Sequence, residues 1–187
     1  MGNREKLLEI ACQAFGQKGY EATSVDDLLA QAGVSPSNFY YHFKSKEELA
    51  VEVLESIFQR SREKFLPLYE DGKISASEKL KRLHALFVER MERSKCSGGC
   101  PLGNLASELS DVNPRFRERI AGFFEECMRG IEGIVRQGVH EGEFRPDLDP
   151  RAAAALLFGS LEGLMLLSKS LRKITPWSGG SSRPCNC

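Results

Sequence analysis

Apolar residues recur three and four positions apart along most of this chain, and strict alternation appears nowhere, so the pattern predicts helices and no strands. Leu7, Leu8, Ala11, Ala14 and Phe15 form the first such stripe, closed by Gly19, which predicts a helix over residues 3–18. Two short helices follow. Thr23 or Ser24 can cap a helix Val25–Ala32 that stops at Gly33, and Ser35 caps a helix that opens on Pro36 and runs to about His42. Phe39 and Phe43, four apart, are the apolar members of the second short helix, while Ser37, Asn38, Tyr41 and His42 project elsewhere. Two short helices meeting through a tight turn with a glycine have helix-turn-helix geometry.

Lys44 and Ser45 interrupt the pattern, and Ser45 with Glu48 forms a capping box for a longer helix from Lys46. That helix carries Leu49, Val53 and Ile57 and continues toward Pro67 as a link of residues 46–69. After the turn Asp71-Gly72, Leu80, Leu83, Phe87 and Met91 mark another amphipathic helix, ending in Ser97-Gly98-Gly99. Pro101, Pro114 and Pro150 each stand at a helix start, preceded by Cys100, Asn113 and Asp149. The helix from Pro114 to about His140 would be roughly 40 Å long. The last, residues 150 to about 172, spaces Ala155, Gly159 and Gly163 four apart and spreads leucines around the rest. A helix apolar on nearly all sides must be covered on nearly all sides, and one subunit offers too little cover. The two last long helices are therefore expected to pack against their copies in a twofold dimer, through Ile120, Phe123, Ile131, Ala155, Gly159 and Gly163. The expected division is a helix-turn-helix domain over 1–46, a ligand-binding and dimerisation domain over 47–174 and a disordered tail over 175–187.

Charge narrows the picture. The 187 residues carry 26 basic and 26 acidic side chains, so no global field draws the chain to nucleic acid. Within the first fifty residues Arg4, Lys6, Lys18, Lys44 and Lys46 face seven acids: Glu5, Glu9, Glu21, Asp26, Asp27, Glu47 and Glu48. From Leu28 to Lys46, however, there is no acidic residue. Any DNA footprint must be local, with specificity from base contacts, shape and dimerisation. The N-terminus reads as a charged amphipathic helix, and residues 152–168 are apolar but short, contain Glu162 and are flanked by Arg151 and Lys169. A cytoplasmic protein with no membrane partner and no cofactor is expected.

Small hydroxyls, an amide and an imidazole on the second short helix suit base edges in a major groove, and Tyr40, Lys44 and Lys46 suit phosphates. The order of features resembles the TetR family of one-component transcriptional regulators. The likeness rests on Phe15, Gly19 and Tyr20, on Thr23-Ser24-Val25 and Ala32-Gly33-Val34-Ser35, and above all on Phe39-Tyr40-Tyr41-His42-Phe43 followed by Lys46-Glu47-Glu48-Leu49. The sequence departs from the family where Pro36 replaces a common Lys or Arg, Ser37 a common Gly and Leu29 a usual Ala. The resemblance implies an all-α homodimer, with an N-terminal three-helix DNA-binding domain and a C-terminal helical bundle. It further implies that Pro36–His42 enters the major groove of a pseudo-palindromic operator, with Tyr40 and Lys46 on phosphates. Repression relieved by a small molecule in the C-terminal domain is implied as well. The full DNA-contacting set expected is Thr23, Ser24, Ser35, Pro36, Ser37, Asn38, Tyr40, Tyr41, His42, Lys44 and Lys46.

Cys100 is the leading residue for sensing. It precedes a helix begun by Pro101, where the helix dipole favours a thiolate, and Gly99-Cys100 followed by Leu102 and Glu108 is similar to TetR-family repressors that sense electrophiles through a cysteine. His84 lies on an apolar face, and with Phe87, Met91, Phe123 and Met128 it can line an effector pocket; Phe124, Phe158, Glu108 and Glu162 are further members. Cys96, Cys185 and Cys187 lack the spacing of a zinc knuckle, so no metal is expected; Cys12 and Cys127 read as core. Two other classes remain open. One is a helical interaction module that has lost DNA binding, suggested by the acidic balance; the other is an enzyme using Cys100 with His84 or His140, for which no triad partner is recognisable.

Overall fold

The computed structural model describes residues 2–174, and every regular element among them is a helix: α1 (Asn3–Gln17), α2 (Val25–Ala32), α3 (Pro36–His42), α4 (Lys46–Glu70), α5 (Ala76–Arg93), α6 (Pro101–Leu109), α7 (Pro114–His140) and α8 (Pro150–Leu171). The expected tail over 175–187, with Cys185 and Cys187, lies outside the described residues. Four helices, α3, α6, α7 and α8, begin on proline, whose missing N–H has no helical partner to lose at that position. Three of these starts are capped by the preceding side chain, that of α3 by Ser35. The Asn113 amide oxygen accepts the N–H of Arg115 at 3.1 Å, and an Asp149 carboxylate oxygen accepts that of Arg151 at 2.9 Å.

Two boundaries differ from expectation, both for tertiary reasons. Pro67 lies inside α4, three residues before its end. A mid-helix proline costs about 3 kcal/mol. Phe65, Leu68 and Tyr69 offset that by packing on the core built from Leu83, Ile131, Val135, Ala154 and Leu161. The helix α5 ends at Arg93 rather than at the glycines, because Cys96 turns inward to a cluster with Met91 and Met165. Lys95 and Cys96 take left-handed backbone there, and the Cys96 N–H donates to Met91 O at 2.8 Å.

The chain forms two compact units. The first comprises residues 2–60 with 101–120, the second residues 61–100 with 121–174. In the first, α1 packs on α2, α3 and α6. Its core holds Leu7, Phe15, Leu28, Phe39, Phe43, Leu49, Leu54, Leu105 and Phe116, all 1% exposed or less. Arg4 pairs with Glu52, Arg119 with Glu55, and Arg115 with Glu47 at 3.6 Å. In the second unit α5 packs on α8, and Arg62 grips Glu126 with two bonds of 2.7 Å. Lys79 is buried with its ammonium on Tyr69 O, at 3.0 Å, so it serves as a cation on the last turn of α4.

A carboxylate closes the start of α5 from a distance in sequence. Glu143 accepts the N–H of Ala76 at 2.8 Å and of Ser77 at 3.1 Å, while Ser75 accepts that of Glu78. The Ser77 hydroxyl and N–H, followed by Ala76 N–H and the Ser75 hydroxyl, hold the Glu143 carboxyl at about 2. A depressed carboxyl stabilises the fold above its unfolded value near 4.5 and loses that contribution as pH falls toward 2. Glu143→Ala should therefore lower the thermal midpoint at pH 7, with a gap from wild type that narrows between pH 4.5 and 2; a gap independent of pH would contradict the capping role.

Gly19 ends α1 with φ of +94°, and a Cβ there would stand 2.5 Å from a Glu108 carboxylate oxygen. Backbone strain alone predicts that Gly19→Ala costs about 1–3 kcal/mol in chemical denaturation. Displacement of Glu108, which accepts the Glu21 N–H at 3.0 Å, adds to it.

Candidate nucleic-acid interface

α3 has seven residues, too few to be helical alone, so its orientation comes from what it buries. Phe39 and Phe43 are wholly buried, their rings 5.8 Å apart. The opposite face is left to solvent: Tyr40 is 60% and Tyr41 83% exposed, and Ser35, Pro36, Ser37 and Lys44 are exposed too. Gly33 supplies the left-handed turn between α2 and α3, with φ of +63°. Ser35 caps α3, its hydroxyl accepting the Asn38 N–H at 3.3 Å and lying 3.0 Å from that of Ser37. His42 is half-buried with its ring edge-on to Tyr41 at 4.9 Å.

Three of the expected contacts are placed differently. Thr23 is 1% exposed and its hydroxyl donates to Gly19 O at 2.7 Å, so it fastens the α1–α2 turn and has no surface to offer DNA. The cap of α2 is Ser24 alone: its hydroxyl accepts the Asp27 N–H, and that hydroxyl, then the Ser24 N–H, lowers the Asp27 carboxyl. Asn38 is half-buried, with its carbonyl oxygen enclosed and unpartnered. Pairing both amide groups with an adenine would require the side chain to turn. Lys46, half-buried, is held by a ring: its Nζ stands 4.1 Å from the centroid of Tyr20.

The residues that brace this interface have roles that the sequence pattern does not reveal. Tyr20 meets Phe15 at 5.4 Å and Phe116 at 5.9 Å, and burial, then Glu21 and Glu47, pushes its hydroxyl up. The Ser45 box is half-formed, since Ser45 accepts the Glu48 N–H but Glu48 takes the N–H of Lys44, at 2.6 Å. Glu108, expected in a pocket, instead holds the α1–α2 turn. Only the aromatic after Gly19 left a trace in the sequence; the other partners are far apart along the chain.

In the second unit, Phe87 stacks on Phe65 at 5.8 Å, Phe124 meets Phe158 at 5.5 Å, and the Arg62 guanidinium covers Phe123 at 5.5 Å. His84, Met128 and Cys100 are half-buried, and Met91 is 4% exposed in the cluster with Cys96. The Cys100 thiol donates to Glu162, whose carboxyl is raised by burial and lowered by that bond and by Arg90. A carboxylate thus stands where an activated thiol would want a cation. Cys127, half-buried, is pushed up to about 12 by burial, then by Glu126 and Glu162. Among the described residues no three His, Cys, Asp or Glu side chains gather as a metal site.

The dimer expectation divides in two. Ile120, Phe123 and Ile131 are 5% exposed or less within their own chain, so their surface is already used and they leave the set. On α8, Ala155 and Gly159 are exposed and Gly163 half-buried, and a Cβ placed on either glycine would point into open space. Leu156, Leu166, Leu167 and Leu171 beside them are 50–72% exposed. By length and composition α8 could cross a membrane, but it also carries the half-buried Glu162 bonded to Cys100.

Comparison with known proteins accords with this geometry. Residues 7–53 match the model of "Bacterial regulatory proteins, tetR family", and residues 76–178 match "Tetracyclin repressor-like, C-terminal domain". The HTH-type transcriptional repressor DhaR of Mycobacterium sp. (strain GP1) is 30% identical over 92% of this chain and 85% of its own. A TetR transcriptional regulator from Chloroflexus aurantiacus J-10-FL has a crystal structure 31% identical with a TM-score of 0.79, covering 93% of this chain and 87% of that one. The regulatory protein TetR from Rhodobacter sphaeroides, 26% identical, gives a TM-score of 0.83 over 90% and 89%.

The two roles on α3 separate experimentally. Ser35→Ala removes a cap and should cost about 1 kcal/mol of stability. Tyr41→Ala, at a position 83% exposed, should change stability by no more than about 0.5 kcal/mol by chemical denaturation.

Proposed function

This chain belongs to the tetR family of bacterial regulatory proteins, and from that premise we propose that it is a cytoplasmic repressor whose grip on a pseudo-palindromic operator is released through its second unit. It is a helix-turn-helix, DNA-binding transcriptional regulator; its relatives are regulators of transcription. The observation that carries the proposal is the solvent-facing side of α3, where Ser37, Tyr40 and Tyr41 are exposed over two buried phenylalanines, Tyr40 edge-on to Phe39 at 5.2 Å. In this reading Ser37, Asn38, Tyr41 and His42 reach base edges, and Ser24, Ser35, Pro36, Tyr40, Lys44 and Lys46 meet the backbone.

A repressor of this kind needs two such helices on one face of the duplex. The exposed leucines of α8, with Ala155, Gly159 and Gly163 between them, fit a second copy of the same helix: small residues admit close approach, and the leucines supply area. Release is assigned to the aromatic interior of the second unit, around Phe87, Phe123 and Met128 with His84. Cys100 beside Glu162 is the thiol whose modification would disturb it.

Selection of duplexes by the purified protein from a random-sequence pool tests the reading. Enrichment of a pseudo-palindrome with half-site centres about 34–36 Å apart, or slightly more, is expected. Failure to enrich any sequence would favour an interaction module that no longer binds DNA. Leu156→Glu should yield monomers in sedimentation and lower operator affinity by at least about 100-fold. If N-ethylmaleimide weakens wild-type binding and spares Cys100→Ser, release runs through that thiol; if both respond alike, Cys100 is structural.

A further inference from the structure

We propose that Tyr20 is a positioning residue for DNA binding: its ring holds the Lys46 ammonium ready for the sugar–phosphate backbone. The inference rests on the reading that the helix-turn-helix binds DNA with Lys46 at a phosphate. Lys46 opens α4 only four residues after the last residue of α3. Its charge therefore sits beside the helix that would read the bases. A lysine stem is long and flexible, and fixing it at a phosphate normally costs rotamer freedom at the moment of binding.

Here the ammonium already has a partner that orients it. Nζ lies 4.1 Å from the Tyr20 ring centroid, a close cation–π distance. The ring is immobilised by Phe15, 1% exposed, and by Phe116, wholly buried, at 5.4 and 5.9 Å. Acidic groups stand nearby: Glu21 and Glu47 both act on the Tyr20 hydroxyl, and Glu47 is engaged by Arg115 at 3.6 Å. A carboxylate partner would have fixed Lys46 by cancelling its charge. A ring face orients the ammonium yet leaves the whole positive charge for a phosphate. That is the property a pre-set backbone contact needs.

The test uses the full chain, a duplex enriched by the wild type from a random pool, and a mixed-sequence duplex of equal length, each across a salt series. Lys46→Ala should weaken both duplexes alike and reduce the salt slope by about one. Tyr20→Leu should weaken both by about three- to tenfold with the slope unchanged, because the phosphate contact survives at greater entropic cost. Tyr20→Phe, which keeps the ring, should bind as the wild type does. In the double variant Tyr20→Leu/Lys46→Ala the loss should match that of Lys46→Ala alone. Additive losses would overturn the proposal, since Tyr20 would then act through the fold; so would tighter binding by Tyr20→Leu, which would mean that the ring withholds Lys46 from DNA.

Should Tyr20→Leu fail to fold, phenylalanine and progressively fluorinated phenylalanines at position 20 keep the shape while weakening the ring's attraction for a cation. Affinity should fall in step with fluorination, and a flat series refutes the role. A wild type that enriches no duplex removes the regulator reading itself, whereas a wild type that binds with an additive cycle removes only the role of Tyr20.

Discussion

The burial of Phe39 and Phe43 is the constraint on which the rest depends. A seven-residue helix cannot pay its own nucleation cost, and only tertiary contact holds it in shape. Because the two rings lie four apart, they fix both the rotation of α3 and its depth, so Tyr40 and Tyr41 between them face outward and His42 is left half-buried. The Ser35 cap, the left-handed Gly33 turn and the half-formed box of Ser45 and Glu48 then set where the helix begins and where the next one takes over. Each contributes about 1 kcal/mol at most; the phenylalanines contribute several.

The acidic balance of the first fifty residues looks unfavourable for a partner made of phosphates. The structure shows where those charges go. Glu47 is taken by Arg115, while Glu5, Glu48 and Asp27 close the ends of helices. Exposed ion pairs of this kind add roughly 0–1 kcal/mol each to stability, so their importance is not in holding the fold. Arg115 offsets the charge of Glu47 directly after the acid-free stretch from Leu28 to Lys46, and charges more than a Debye length of about 8–10 Å from that stretch are screened from it.

Much of this was legible in the sequence because it is local. The starts at Pro101, Pro114 and Pro150 and the bounds of α2 and α3 follow from caps, prolines and one glycine, all signals within a few residues of their effect. What was not legible depends on partners distant along the chain. Pro67 stays inside α4 because Phe65, Leu68 and Tyr69 are buried on residues from α5, α7 and α8. Thr23 reads as a cap but is drawn inward by Gly19 O. Ile120, Phe123 and Ile131 share a periodic stripe that a sequence cannot divide between the chain's own core and a partner's surface, and burial assigns them to the former. The residues bracing the interface, Tyr20, Glu108 and Arg115, come from three separate segments.

The first compact unit is discontinuous: α6 and the opening of α7 belong with α1, α2 and α3, although forty residues of the other unit intervene. Phe116 closes the aromatic set around Tyr20, and Glu108 holds the turn that leads into α2. A ribosome has therefore released the reading helix long before it has made the pieces that pack against its unit. The same arrangement limits how such proteins can be recombined. A chimera cut after the first sixty residues would pair a borrowed sensor with a head missing its own wall, and an exchange that keeps the head whole must carry residues 101–120 along with it.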